Sequence, residues 1–143
     1  MKNTYSTNLN LRHVDIGLLI FRIGISALML THGTPKFLKA FSGEEISFAN
    51  PLGMGEMLTF TFAVIAEFIC PILIIIGLGT RLAAIPVILT MATAAFIVHI
   101  TDGFGQQELP LLFMLGFILL FFTGGGKYSL DWYLLSRKKD RLK

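Results

Sequence analysis

Four ionisable side chains fall inside long apolar stretches of the sequence: Arg22, His32, Glu67 and His99. A charged group at the centre of a membrane helix costs about 2.5–3.5 kcal/mol on insertion scales, so such residues face a bundle interior and mark ion pairs, proton paths or ligand sites. Arg22 stands about 12 Å along a helix that starts at Val14 and rises 1.5 Å per residue. Glu67, counted from Leu58, stands roughly 17 Å from the far face of a hydrocarbon core about 30 Å thick. Those heights are close enough to expect an Arg22–Glu67 ion pair joining the first two spans. Two uses of Glu67 stay open: a structural partner for Arg22, or a carboxylate that takes up protons or binds ligand.

Pro71 sharpens the interest in Glu67. A proline leaves the carbonyl four residues earlier without its helix donor, and that carbonyl belongs to Glu67 itself. Its partner is expected to be Arg22, water or a ligand, or else a neighbouring hydroxyl such as Ser26 or Thr31. His32 lies one turn before Lys36, beside Gly33 and Pro35, and His99 lies close to Asp102 and Glu108. With Glu67 these groups sit toward one side of the membrane. There they would line a polar pocket suited to a quinone head group, a proton relay or a divalent metal. Histidines that only cap helix ends are the alternative. Two histidines on separate helices can ligate a b-type haem, and with a carboxylate they can hold zinc. Nothing in the spacing demands either, and no metal site is assigned.

Arg81, in the Gly79-Thr80-Arg81 turn, is expected to set topology and to pair with Asp15 at the base of the first span. The single cysteine, Cys70, excludes a disulfide framework or dithiol chemistry within one chain. No phosphate-binding G-x-x-x-x-G-K-[ST], dinucleotide-binding G-x-G-x-x-G or zinc-binding H-E-x-x-H motif occurs.

These side chains need helices to hold them, and the composition supplies membrane helices. Of 143 residues 54% are hydrophobic and 15% charged, against roughly 45–50% apolar in a soluble domain. Four apolar segments are expected to span the bilayer: 14–36, 58–78, 82–100 and 109–123. The last is short for a span and is expected to continue through Gly124, Gly125 and Gly126. Pro86 and Pro110 are placed near the first turns of their helices, where a missing N–H costs least. The Asp15- and Arg22-bearing first run lacks an A-x-A cleavage site and reads as a retained helix. The connections are short, so the expected fold is all-α: one integral membrane four-helix bundle, up-down-up-down. The longest connection, from Phe37 to Met57, is expected to rest at the membrane interface.

Orientation follows from the basic residues. With both termini cytoplasmic, Lys2, Arg12, Arg81, Lys127, Arg137, Lys138, Lys139, Arg141 and Lys143 lie inside, and only Lys36 and Lys39 outside. Tyr128, Trp132 and Tyr133 then form an aromatic anchor ahead of a basic tail, Ser136 to Lys143, suited to stop-transfer and anionic-lipid contact. This placement of charge, at the ends of apolar segments, argues against nucleic acid as a partner.

Four stretches carry a family resemblance: Arg22-Ile23-Gly24 leading to His32-Gly33-Thr34-Pro35-Lys36; Ala66-Glu67-Phe68; Gly77-Leu78-Gly79-Thr80-Arg81-Leu82-Ala83-Ala84; and Gly124-Gly125-Gly126-Lys127-Tyr128-Ser129-Leu130-Asp131. Each is weak alone. In this order over nearly the full chain they resemble the DoxX family of membrane proteins. The resemblance implies a four-helix membrane fold and, in some members, association with oxidoreductase complexes that pass electrons to quinone. It also implies that Arg22, His32, Lys36, Glu67 and Arg81 are recurrent polar positions.

The resulting expectation is a small inner-membrane subunit of a quinone-linked redox system, with Arg22, His32, Lys36, Glu67 and His99 as the candidate ligand or proton-exchange site. Asp15, Arg81 and Pro71 are its structural polar positions. The chain has no redox centre of its own, so this reading requires a separate redox partner protein. A proton-linked carrier or binding protein for a small lipophilic molecule and a membrane scaffold are the alternatives. The lipid-facing surface of four helices is compatible with a homo-oligomer.

Overall fold

The computed structural model describes residues 10–140. Lys2, Arg141 and Lys143 of the orientation argument lie outside the described residues, as do the side chains of Lys138 and Lys139. The described residues form helices joined by short connections: α1 (Leu11–Ala40), α2 (Glu56–Ile76), α3 (Thr80–Val98), α4 (Phe104–Thr123) and a shorter α5 (Leu130–Asp140). The first four are long and apolar enough to cross a membrane.

Local chemistry explains the boundaries. Asn10 caps α1 with its side-chain oxygen, which accepts from the Arg12 N–H at 3.1 Å. At 30 residues α1 is about 45 Å long, longer than the hydrocarbon core, so it projects beyond it. α2 ends in a Schellman motif: the Gly77 N–H donates to Ile74 O at 3.1 Å and the Leu78 N–H to Leu73 O at 2.9 Å. Gly77 sits at φ 74°, ψ 36°, the left-handed region that a β-carbon disfavours.

Three boundaries differ from the sequence expectation. α4 does not continue through Gly124–Gly126; it gains its length upstream by starting at Phe104, and the glycines form a loop. Because α3 and α4 start earlier than the apolar runs, Pro86 and Pro110 fall in the second turn of each helix rather than the first. The residues read as a basic tail begin inside α5. In this helix Arg137 lies over the Tyr133 ring at 5.1 Å and Lys127, just before it, over Trp132 at 5.8 Å.

α3 packs along α4, and α1 along α2, while α1 and α4 touch sparingly. Met29, Cys70, Ile74, Ala84, Val87, Phe117 and Leu120 form the centre of the buried cluster. Large apolar side chains such as Ile20, Leu28, Leu82, Leu89 and Phe122 are exposed, as lipid-facing positions must be. Lipid is as apolar as these side chains, so cohesion rests on close packing and internal polar contacts.

Two π-helical turns interrupt this regularity, Ile65–Ile69 in α2 and Ala94–Val98 at the end of α3. They are closed by Cys70 N–H to Ile65 O and by His99 N–H to Ala94 O at 2.9 Å. π turns are rare and cluster at functional sites; here they carry Glu67 and deliver His99. The second lies at the end of the bundle opposite the termini, called below the loop end, and the first lies near the middle of α2.

Candidate functional site

Glu67 is placed by its own proline. Pro71 has no N–H to offer the Glu67 carbonyl, and the backbone widens into the π turn immediately before it. Gly33 of α1 lies directly against that carbonyl: a β-carbon at position 33 would stand 2.0 Å from its oxygen. Neither expected hydroxyl serves it. Thr31 donates to Leu28 O at 2.7 Å, and the buried Ser26 hydroxyl has no partner among the described residues.

The Gly33–Glu67 approach sets the register of α1 against α2 and so chooses the ion pair. Lys36, about one turn beyond Gly33, brings its Nζ to 2.5 Å from both Glu67 carboxylate oxygens. One residue further on in both helices, Phe37 stacks on Phe68, centroids 4.2 Å apart. The Glu67 side chain is 4% exposed and that of Lys36 29%.

The expected Arg22–Glu67 pair does not form. Arg22 lies eleven residues before Gly33, about 16 Å down the helix, beyond the reach of a guanidinium. The sequence estimate anchored the first span at Val14, whereas α1 runs past both ends of that span. Arg22 is 2% exposed and donates from Nη1 to Gly125 O at 2.7 Å and from Nη2 to Tyr128 O at 2.9 Å. It ties α1 to the loop between α4 and α5, at the terminal end of the bundle.

Asp15 and Arg81 also find different partners from those expected. Asp15 accepts from the Lys127 N–H at 3.1 Å, and Arg81 donates to Phe122 O at 3.2 Å. Asp15 is drawn to the backbone of the α4–α5 connection and Arg81 to the last turn of α4. The carboxylate that serves the α2–α3 turn is Asp131 of α5, which accepts from Gly79 N–H at 2.7 Å and Thr80 N–H at 3.0 Å. Asp131 closed the glycine-rich motif in the sequence, but a contact across 51 or 52 positions leaves no local signal.

The other four candidates converge. His32, Lys36, Glu67 and His99 line one cavity of about 330 Å³ at the loop end, walled also by Met29, Met91 and Phe113. Met29 and His32 share a face of α1 at helical spacing, the one sequence signal that could have added Met29 to the site. A second cavity of about 310 Å³, largely apolar, lies beside it between α2 and α3 under residues 48–54. Lys36, Glu67, Ala94 and His99 border both cavities.

The cover of the second cavity is held in place. The Phe48 N–H donates to Glu56 Oε2 at 3.1 Å, Asn50 Oδ1 accepts from the Gly55 N–H at 3.0 Å, and the Phe48 ring lies 5.6 Å below Lys36 Nζ. This is the connection expected at the interface.

The histidines differ. His99 Nδ1 lies 2.8 Å from Asp102 Oδ2, and Gln107 donates to the His99 carbonyl at 2.9 Å. An ionised carboxylate only accepts, so Nδ1 carries the proton and Nε2 is left to accept, or to donate when the ring is charged. His32 meets the Phe113 ring edge-on at 5.7 Å, and among the described residues it makes no hydrogen bond through its ring. Glu108, noted near His99 in the sequence, is exposed and lines neither cavity. Among the described residues no three His, Cys, Asp or Glu side chains are grouped to hold a metal ion.

The arrangement offers a paired cation and anion, an oriented imidazole and a free imidazole around one space, with an apolar space adjoining. It can hydrogen-bond a small polar head and shelter an apolar extension.

Comparison with known proteins agrees with the fold. The DoxX family model matches residues 17–100, a stretch that includes every candidate site residue. A protein of Haemophilus influenzae, described only as uncharacterised, is 35% identical over 123 residues, covering 80% of this chain and 87% of its own. The inner membrane protein YphA of Escherichia coli K12 is 32% identical over 136 residues, covering 85% of this chain and 96% of its own. No solved structure matches the chain. With over half the chain inside the family model and relatives aligned along most of its length, this four-span inner-membrane protein belongs to the DoxX family.

Proposed function

We propose that the protein is the membrane subunit of a quinone-linked redox system and holds a quinone head group at its loop end. The observation that carries the reading is the position of Lys36–Glu67, which borders both the polar cavity and the apolar one. A quinone has the same two parts: carbonyl oxygens that accept hydrogen bonds and a body that prefers lipid. Lys36 donates to one carbonyl, and His32, or His99 with its ring charged, to the other. Reduction to the quinol takes up two electrons and two protons. The electrons come from a separate partner protein, and Glu67 and His32 exchange the protons. The basic residues favour cytoplasmic termini, so the cavity faces outward.

Saturable binding of a quinone to the purified protein in detergent, measured for wild type, Glu67→Gln and His32→Ala with matched folding checks, tests this reading. Binding lost in folded variants supports it; absence of binding in the wild type overturns it. The apolar cavity favours a second reading, a proton-linked carrier or binding protein for another small lipophilic molecule. That reading survives if such a molecule binds with the same dependence on Glu67 and quinone does not.

A further inference from the structure

The terminal end of the bundle carries a separate cavity, remote from Lys36 and Glu67, that the redox reading leaves unused. It measures about 650 Å³, and its walls include Arg81, Gly124, Gly125, Gly126, Trp132 and Leu135. We propose that it is a binding site for the phosphate head group of an anionic phospholipid, with the acyl chains lying along α5 and the adjoining helix ends.

Charge and hydrogen-bond supply support this occupant. Arg81 is exposed and among the described residues makes one hydrogen bond, Nη2 to Phe122 O, so most of its fork is available to clasp a phosphate. One carboxylate, Asp131, also lines the cavity, and it is already engaged: its two oxygens accept from the Gly79 and Thr80 N–H groups. The N–H groups of Gly125 and Gly126 have no protein acceptor among the described residues, and both glycines line the cavity. Lys127 and Arg137 lie over the faces of Trp132 and Tyr133 and add positive charge at the same level.

The lipid source is argued from the rim. Trp132, Leu134 and Leu135 are exposed on α5 and line the cavity, so its polar floor has an apolar edge. A free phosphate has no use for that edge, whereas a phospholipid fits both parts. Basic pockets at the ends of membrane helices are known receivers of anionic head groups, and the basic face here is the one assigned to the cytoplasmic leaflet.

Trp132 is the chain's only tryptophan and lines the cavity, which makes it a native reporter. The full chain is placed in mixed phosphatidylglycerol–phosphatidylcholine vesicles in which one lipid or the other carries brominated chains, and quenching of Trp132 is followed. In the wild type, brominated phosphatidylglycerol is expected to quench about fivefold more than its mole fraction accounts for, the enrichment that one basic contact near the surface confers. Arg81→Gln removes that excess, and Arg81→Lys, which keeps the charge without the fork, retains part of it. The tail variant Lys138→Gln/Lys139→Gln retains the excess at moderate salt. Quenching that follows mole fraction in the wild type overturns the proposal. So does an excess that survives Arg81→Gln, one that disappears in the tail variant, or one that inorganic phosphate displaces.

Discussion

The molecule buries polar groups at both ends of its bundle, and the two ends use them differently. At the terminal end Arg22 is enclosed and gives its Nη groups to two backbone carbonyls, while Asp131 accepts two backbone N–H groups. Side chains there are spent on main chain, locking the α4–α5 loop to α1 and the α2–α3 turn to α5. At the loop end Lys36 and Glu67 hold each other and border open space on two sides. A buried charge in a membrane bundle is therefore a poor pointer to function until its partner is known. Backbone partners mark architecture, and side-chain partners beside a cavity mark a site.

Substitutions can break this contrast. The largest effect on stability is expected at Arg22. Arg22→Leu removes two charge-assisted bonds to carbonyls, one buried and one partly buried, and should lower unfolding stability in detergent by about 3–5 kcal/mol, while its folded fraction still binds quinone. Loss of ligand binding from well-folded Arg22→Leu would erase the distinction between the ends.

Gly77→Ala is next. It places a β-carbon at positive φ and 2.6 Å from Arg22 Nη1, with an expected cost of about 2–3 kcal/mol by the same unfolding assay. Lys36→Met leaves Glu67 buried without its partner and should cost about 2 kcal/mol, less than full burial implies because Lys36 is partly exposed. The double variant Lys36→Met/Glu67→Met should recover most of that loss while binding no ligand. A double variant that still binds would show that the pair is scaffold rather than site. The smallest effect is expected at Asp102→Asn. With His99 less firmly oriented, ligand affinity should fall about fivefold, the worth of roughly one hydrogen bond, with stability unchanged.

The membrane class and the four spans were legible in the sequence, because apolar run length is a local property; the cost of intramembrane charge singled out His32, Glu67 and His99, whereas their meeting with Lys36 around one cavity belongs to the packed bundle. Partner choice was not. Heights estimated from Val14 and Leu58 put Arg22 near Glu67, whereas the register is set by Gly33 fitting against a carbonyl on another helix, a match of surfaces with no trace in either segment alone. Pro71 marked Glu67 as unusual, yet the π turn is a backbone response that the proline alone does not specify. Asp15 and Arg81 went astray for a related reason: their partners are backbone groups distant in sequence, Lys127 N–H and Phe122 O, which no side-chain pattern announces.

The most direct test of the contrast is photoaffinity labelling with an azidoquinone in native membranes, followed by peptide mapping of wild type, Glu67→Gln and Arg22→Leu. Label is expected on peptides containing Lys36, Glu67 and His99, to vanish with Glu67→Gln and to persist in folded Arg22→Leu. Label concentrated around Arg22 and Gly125, or undiminished by Glu67→Gln, would contradict the assignment of the loop end as the functional site.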